Sequence, residues 1–529
     1  MKTPSSDLSI TLEFGGGVHS RAAEDKIDVR ECSSGQNFSL DLQDFEFKNR
    51  KPFDLVGTVP NAAEIRGFAT LLKSDGTVSF LVQAGATVYE WDGTNFTSKG
   101  TVSATAKLRG RLEHNWQLSD KVIITDINLQ QPVMEWDGTT LQNISFFKND
   151  ASAAWTGSFK AKYCYINNER AEFFNVDDNG SAFPHLIVGS MRGDYTIISN
   201  NQRPSSSLSE EDAFFLIQPD YHPINGAVGA FGKIVTSSDS GSLFILEGYS
   251  AQDFIFSELY PRSGADGDES LVYIGNDIVY GRQGAIESVT STSRFGDVET
   301  NDLSQGISDQ IGTFAPWVSV YNSRTQRAHF FPDSQNEMWT LHKPLLGSKL
   351  SPWIKNTTLH SSAFQPTAVM NMLDPSDSLE YVFFGDSSGN MYRLEGTGSG
   401  DGGTKDVHTE RTSKLFSAPL DAEAYEVYGE IKYRKSAAQT VYLTLLYAGM
   451  NVFDETITID LPANTTSSYY GGGAYYGGSF YYGAAFRQRL TRQKFGFPGR
   501  SNEFQVRAVI EGSTDFTINS IILRLKAVA

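Results

Sequence analysis

The sequence predicts an all-β protein: a β-propeller-like domain of about six or seven blades followed by a C-terminal β-sandwich. Three observations carry this expectation. Alternating apolar segments such as TVSFLVQ, KVIITDI, SLFILEG, EYVFFGD and TVYLTLLY recur, separated by Gly, Asp, Asn and Ser. No stretch of helical period and useful length interrupts them. A decapeptide also repeats: TVYEWDGTNF at 87–96 returns as PVMEWDGTTL at 132–141, which puts Asp92 and Asp137 45 residues apart. Four short strands in a period of about 45 residues is the spacing of propeller blades.

The elements follow in chain order. Residues 1–60 read as an N-terminal β segment that closes or docks the propeller. Residues 61–395 read as the propeller, about 335 residues that divide into six or seven blades at 45–50 each. Asp-Gly between two alternating runs marks tight hairpins of type I′ at Asp92-Gly93 and Asp137-Gly138, because such turns need positive φ. Related turns are expected at SDGTVSF, DSGSLFIL and DSSGNMYRL, the last built on Asp386 and Gly389. Trp91 and Trp136 take equivalent places in their hairpins. The stretch from Asp150 to Phe231 is less regular and reads as rim insertions. Residues 396–414, with GTGSGDGGTKD at their start, read as a flexible Gly-rich linker. Residues 415–529 read as the sandwich. It carries a Tyr/Gly-rich insertion at 469–486, in which the pairs Tyr469-Tyr470, Tyr475-Tyr476 and Tyr481-Tyr482 recur every six residues.

Charge and composition exclude several classes. The net charge of the 529-residue chain is −18. Residues 401–529 hold 14 Lys+Arg against 13 Asp+Glu, so the first 400 hold 30 against 49, a net of −19. A protein that grips DNA phosphates is basic, and this balance argues against one. No run of 18 apolar residues suggests a membrane helix. The N-terminus lacks the apolar core of a signal peptide. Two cysteines, Cys32 and Cys164, cannot build a disulfide framework.

Catalytic signatures are weak. GDSSG at 385–389 fits G-x-S-x-G in letters, but an alternating strand follows where a nucleophile elbow needs a helix. The segment instead resembles the Asp-box hairpin of sialidase propellers, a structural turn. The eight histidines show no metal-site spacing. No cofactor, metal or catalytic residue is assigned, and no enzymatic activity is expected. Two basic runs stand out. KLRGRLEH at 107–114 reads as an interblade loop or subunit contact. RQRLTRQKFGFPGR contributes Arg487, Arg489 and Arg492, which join the six tyrosines as a candidate interface.

The two ends of the chain resemble a known group. The start runs from GGGVHSR through DVRECSSGQNFSLDLQDFEFKNRKPFDLVGTVP, and the end is FGFPGRSNEFQVRAVIEGSTDFTINSIILRLK. With the EWDGT hairpins between, this resembles tail proteins of short-tailed bacteriophages: the tail nozzle, or tail tubular protein B, and related hub or packaged-DNA stabilisation proteins. The Tyr/Gly insertion has no counterpart in that pattern. The resemblance implies a homo-hexameric ring in the virion tail, assembled in the host cytoplasm. Its partners would be adaptor or portal-proximal tail proteins and tail fibres or tailspikes. Double-stranded DNA would pass transiently, without sequence-specific binding. Two other functions fit an all-β chain: a glycan- or receptor-binding propeller of a phage tail, with Trp91 and Trp136 stacking on sugars, and a propeller glycoside hydrolase.

Overall fold

A computed structural model describes the chain except residues 1–7, 41–46, 111–116, 119, 150–152, 200, 231, 262–263, 283, 292–297, 312–316, 333–334, 360–363, 399, 404, 418–423, 436–438, 448–454, 462–490, 502, 512–515 and 529. The chain divides into two compact units. One comprises residues 55–338 and 362–394, the other residues 1–54, 339–361 and 395–529.

Successive antiparallel meanders build the first unit, and it is a β-propeller. Blade 1 is Ile65–Leu72, Val78–Ala84, Thr87–Trp91 and Phe96–Thr101. Blade 2 is Leu108–Gly110, Lys121–Asp126, Met134–Trp136 and Leu141–Asn143. Blade 3 is Phe159–Asn167, Arg170–Asp178, Ser181–Met191 and Phe214–Ile217, with Asp194–Ile198 also paired to its third strand. Blade 4 runs Ile224–Ala230, Lys233–Ser238, Leu243–Glu247 and Ile255–Tyr260. Blade 5 runs Leu271–Tyr273, Asp277–Arg282, Ala285–Ser291 and Val298–Asp302. Blade 6 begins with Trp317–Asn322, Arg327–Pro332 and Glu337–His342. Blade 7 is Ala368–Leu373, Glu380–Gly385, Asn390–Arg393 and, as its fourth strand, Asp54–Thr58.

Seven meanders are thus present among the described residues, and their inner strands close a ring. Arg109 and Gly110 of blade 2 pair in parallel with Phe68 and Ala69 of blade 1. Lys121–Asp126 lies against the first strand of blade 3. From there each first strand contacts the next, and Ala368–Leu373 returns to Ile65–Leu72. A strand from the N-terminal side completes the last blade: Val59 N–H donates to Gly389 O at 2.9 Å. The apolar core lies between blades, as blade faces stacked on both sides require. Ile65, Phe80 and Trp91 pack with Met370 and Phe383 of blade 7. Val228 and Leu243 pack with Leu271 and Ile278 of blade 5. Central strands are therefore covered on both faces, which is why segments such as VIIT read as continuous apolar runs.

Two sheets make up the second unit. One has the order Phe38–Leu40, Phe47–Asn49, Phe516–Val528, Ala424–Lys435 and Thr491–Ser501, with Leu8–Leu12 also paired to Phe516–Val528. The other has the order Trp353–Thr357, Ser34–Gln36, His408–Thr412, Glu503–Glu511, Gln439–Tyr447 and Glu455–Leu461. Val441, Leu443 and Leu445 are buried with period two, as are Val506, Ala508 and Ile510. A water-sized cavity lined by Leu12, Phe14 and Ile521 on one side and Arg411, Val506 and Ala508 on the other shows the sheets face to face. The arrangement is a sandwich.

Two sequence boundaries are corrected here. Among the described strands of residues 1–60, only Asp54–Thr58 pairs with the propeller, because that strand fills the open edge of blade 7. The described strands before it pair into the sandwich. The Gly-rich stretch after Glu395 is also not a free linker. Thr397 and Gly398 N–H donate to the Asp54 carboxylate at 2.9 and 3.0 Å. Asp401 is fully buried and accepts Arg50 at 2.7 and 2.5 Å. A Cβ on Gly396 would stand 2.2 Å from Asp54 Oδ1. Glycine serves close approach here, and composition alone cannot tell that from flexibility. The rest of the stretch includes the strand His408–Thr412.

Candidate functional site

The turns expected from Asp-Gly occur at equivalent places. Each joins the third and fourth strands of its blade: Trp91 pairs with Phe96, and Trp136 with Leu141. Asp92 Oδ1 accepts the N–H of Thr94 and Asn95 at 2.8 and 2.7 Å. Asp137 Oδ1 accepts Thr139 and Thr140 at the same two distances. These bonds hold both carboxyls below the usual carboxylate range. The turn type differs from the expected I′. Gly93 has φ +98° and Gly138 +86°, while the threonines after them keep negative φ. Positive φ at the glycine alone is not the type I′ pattern; Asp92 N–H donates to Asn95 O, while Asn95 N–H goes to the Asp92 side chain.

Trp91 and Trp136 are buried, 2% and 0% exposed, so neither offers a ring to a sugar. Each wedges against the preceding blade. Trp91 meets Phe383 of blade 7 with ring centroids 5.7 Å apart. Trp136 Nε1–H donates to Ser79 Oγ of blade 1 at 2.9 Å, and Ser79 in turn donates to Glu90 at 2.6 Å. The EWDG repeat is thus an interblade joint. Gly389 has φ +80°, and Asp386 accepts Ser388 and Asn390 N–H at 2.8 and 2.9 Å. The strand Asn390–Arg393 follows directly, so Ser387 sits on a hairpin and not on a nucleophile elbow.

The remaining candidates fall elsewhere. Tyr469, Tyr470, Tyr475, Tyr476, Tyr481, Tyr482, Arg487 and Arg489 lie outside the described residues. Arg492 is in the strand Thr491–Ser501, opposite Lys432. Among the described residues no group of three or more His, Cys, Asp or Glu could hold a metal. Cys32 is buried and its thiol is pushed up to about 11 by desolvation, which removes it as a nucleophile. His329 is buried and held near 3, hence neutral, by desolvation and then by Arg327.

A site that the sequence did not nominate lies at the propeller axis. Residues 264–270, Gly-Ala-Asp-Gly-Asp-Glu-Ser, lead into the first strand of blade 5. Glu269 binds Lys107 Nζ at 2.6 Å and Arg109 Nε, both of blade 2. Asp268 binds Lys162 Nζ at 3.1 Å and accepts Tyr163 OH at 2.7 Å, both of blade 3. Ala265 N–H donates to Ser237 Oγ, and Asn225 Nδ2 donates to Ala265 O, each at 2.8 Å, in blade 4. Ser319 of blade 6 donates its N–H to Glu269 O at 2.9 Å. One short segment that reaches blades 2, 3, 4 and 6 and continues into blade 5 can do so only across the middle of the ring. The run KLRGRLEH, expected at an interblade loop or subunit contact, therefore places Lys107 and Arg109 in intramolecular ion pairs. Nothing local in the sequence joins residue 107 to residue 269. The only hint was an acidic cluster, one among many.

No protein-family model and no curated protein sequence matches the chain. Solved structures of low similarity are propellers and related folds. The WD40 domain of Toxoplasma gondii coronin covers 68% of this chain and 87% of its own, with TM-score 0.40 and 10% identity. BBS1N in complex with ARL6DN covers 66% and 98%, with TM-score 0.41 and 9% identity. YCF48 bound to D1 peptide covers 65% and 95%, with TM-score 0.38 and 12% identity.

Proposed function

We propose that this chain is a structural protein of a short-tailed phage virion, a tail nozzle or hub ring that retains the packaged genome and conducts it out. The observation that supports the reading is where the two resembling ends go. They lie more than 400 residues apart in the chain, yet the opening as far as Asp54 belongs to the same unit as the ending and pairs with it. Phe47 and Lys48 of the opening stand opposite Ile518 and Thr517 of the ending. The GGGVHSR segment is held by the same unit: Gly17 N–H donates to Ser351 O and Val18 N–H to Trp353 O, both at 2.8 Å. Most of the two resembling ends thus lies in one unit, while the strand Asp54–Thr58 and the EWDGT hairpins belong to the propeller.

Charge supplies the mechanism. DNA is a dense line of negative charge, and a conduit lined by carboxylates offers it no place to stick. The excess of acid in the first 400 residues suits such a lining. The working state is a six-fold ring of identical chains, with heterologous contacts that close. Negative-stain microscopy and light scattering on concentrated protein should show six-fold rings. Monomers alone at every concentration, and in purified particles, would overturn the reading.

A further inference from the structure

The axial segment has the form of a bound ligand. Two of its three carboxylates, those of Asp268 and Glu269, are the partners of three cations that stand on two other blades, and its backbone is fastened by two more blades. Lys107 and Lys162 are 27% and 23% exposed, while Arg109 is 3% exposed. The Arg109 guanidinium donates through Nη1 to Arg66 O and Leu108 O at 2.9 and 2.7 Å, and through Nε to Glu269. Its Nη2 is buried at the same place and has no hydrogen-bond partner among the described residues. A buried cationic group with an unused donor marks a site built for more acceptor atoms than the segment supplies. The half-exposed lysines keep one side of the cluster open to solvent, so the ion pairs there are screened by salt and individually weak.

We propose that Gly264–Ser270 is an internal strap over an axial binding site for an acidic peptide segment, formed by Lys107, Arg109, Lys162 and Tyr163. Charge complementarity sets the ligand class. Adjacent carboxylates on a tight turn, closed in the strap by Ser270 N–H donating to Gly267 O at 3.3 Å, satisfy the cations, while the backbone before the turn meets Ser237 and Asn225, as the strap does now. A partner segment of the same chemistry competes with the strap for those groups. Release of the strap also frees the entry to blade 5.

The test uses the full chain and a labelled peptide of residues 264–270. In Asp268→Asn/Glu269→Gln, amide exchange at Ala265, Asp266 and Ser319 should rise at least tenfold. The labelled peptide should then bind this variant at least tenfold more tightly than it binds the wild type. Raising salt should weaken that binding, and adding Lys162→Glu should abolish it. If the double variant does not fold, Asp268→Asn alone should still raise exchange at Ala265 and Asp266 by about threefold. Unchanged exchange, or peptide binding that is absent or equal in variant and wild type, would overturn the proposal.

Discussion

Gly93 and Gly138 do one job at two equivalent places. Positive φ costs a β-branched residue on the order of 1–3 kcal/mol. Gly93→Val and Gly138→Val should each lower the thermal midpoint by several degrees. At residue 138 an added Cβ meets only the flexible end of Lys73, and at residue 93 it has room, so backbone strain should dominate in both. Equal midpoints for variants and wild type, read by circular dichroism, would show that the turns tolerate other conformations. Asp401 presents the opposite case, a residue that local pattern assigned to a flexible stretch. It is a buried carboxylate held by Arg50, and removing one member of such a pair leaves the other charge uncompensated. Asp401→Ala should destabilise the sandwich by about 3–5 kcal/mol in urea unfolding. A loss under 1 kcal/mol would restore the linker reading.

The middle strand of blade 3 carries a pH dependence. Glu172 is fully buried, and desolvation pushes its carboxyl up to about 8, with Arg170 offsetting only part of this. Arg170 spends its donors on backbone, giving Nη1 to Ser190 O and Asp212 O at 2.7 Å each. An acid whose folded pKa is raised binds its proton more tightly in the native state. Its contribution is therefore full below the ordinary value near 4.5 and is lost as pH rises towards 8. Wild-type protein should lose thermal stability across that window, and Glu172→Gln should flatten the curve. Parallel curves for the two proteins would remove Glu172 as the cause. The strand itself was not legible: residues 150–231 read as rim insertions, yet four strands of blade 3 lie there. The blade repeat at 87–96 and 132–141 was legible, because alternation and turn residues are local properties. The turn type was not, because it depends on which turn residues take positive φ. Nor was the axial pairing of Lys107, Arg109 and Lys162 with Asp268 and Glu269. Ring closure brings those residues together across more than 100 positions, and no local period records that.

For the whole molecule, the Tyr/Gly insertion tests assembly separately from folding. Its flanking strands are Glu455–Leu461 and Thr491–Ser501, each the last strand of its sheet among the described residues. Glu455–Leu461 is paired with Gln439–Tyr447, from Gln439 opposite Leu461 to Leu445 opposite Glu455. Thr491–Ser501 is paired with Ala424–Lys435. Both of these ladders are thus formed by residues outside the insertion. Six tyrosines in three hexapeptides offer contact area at low entropic cost, each with a hydroxyl for hydrogen bonding. Left in water they would make an apolar patch of the kind that marks an interaction site. Deleting residues 469–482 and joining the ends with a short Gly-Ser bridge should leave the thermal midpoint within a few degrees of wild type. If the proposed ring closes through these residues, the ring population measured by light scattering should fall at least tenfold. A deletion protein that unfolds would place the tyrosines in the core of the sandwich. One that forms rings at wild-type yield would remove Tyr469, Tyr470, Tyr475, Tyr476, Tyr481 and Tyr482 from the interface and leave the arginines after them as its remaining candidates.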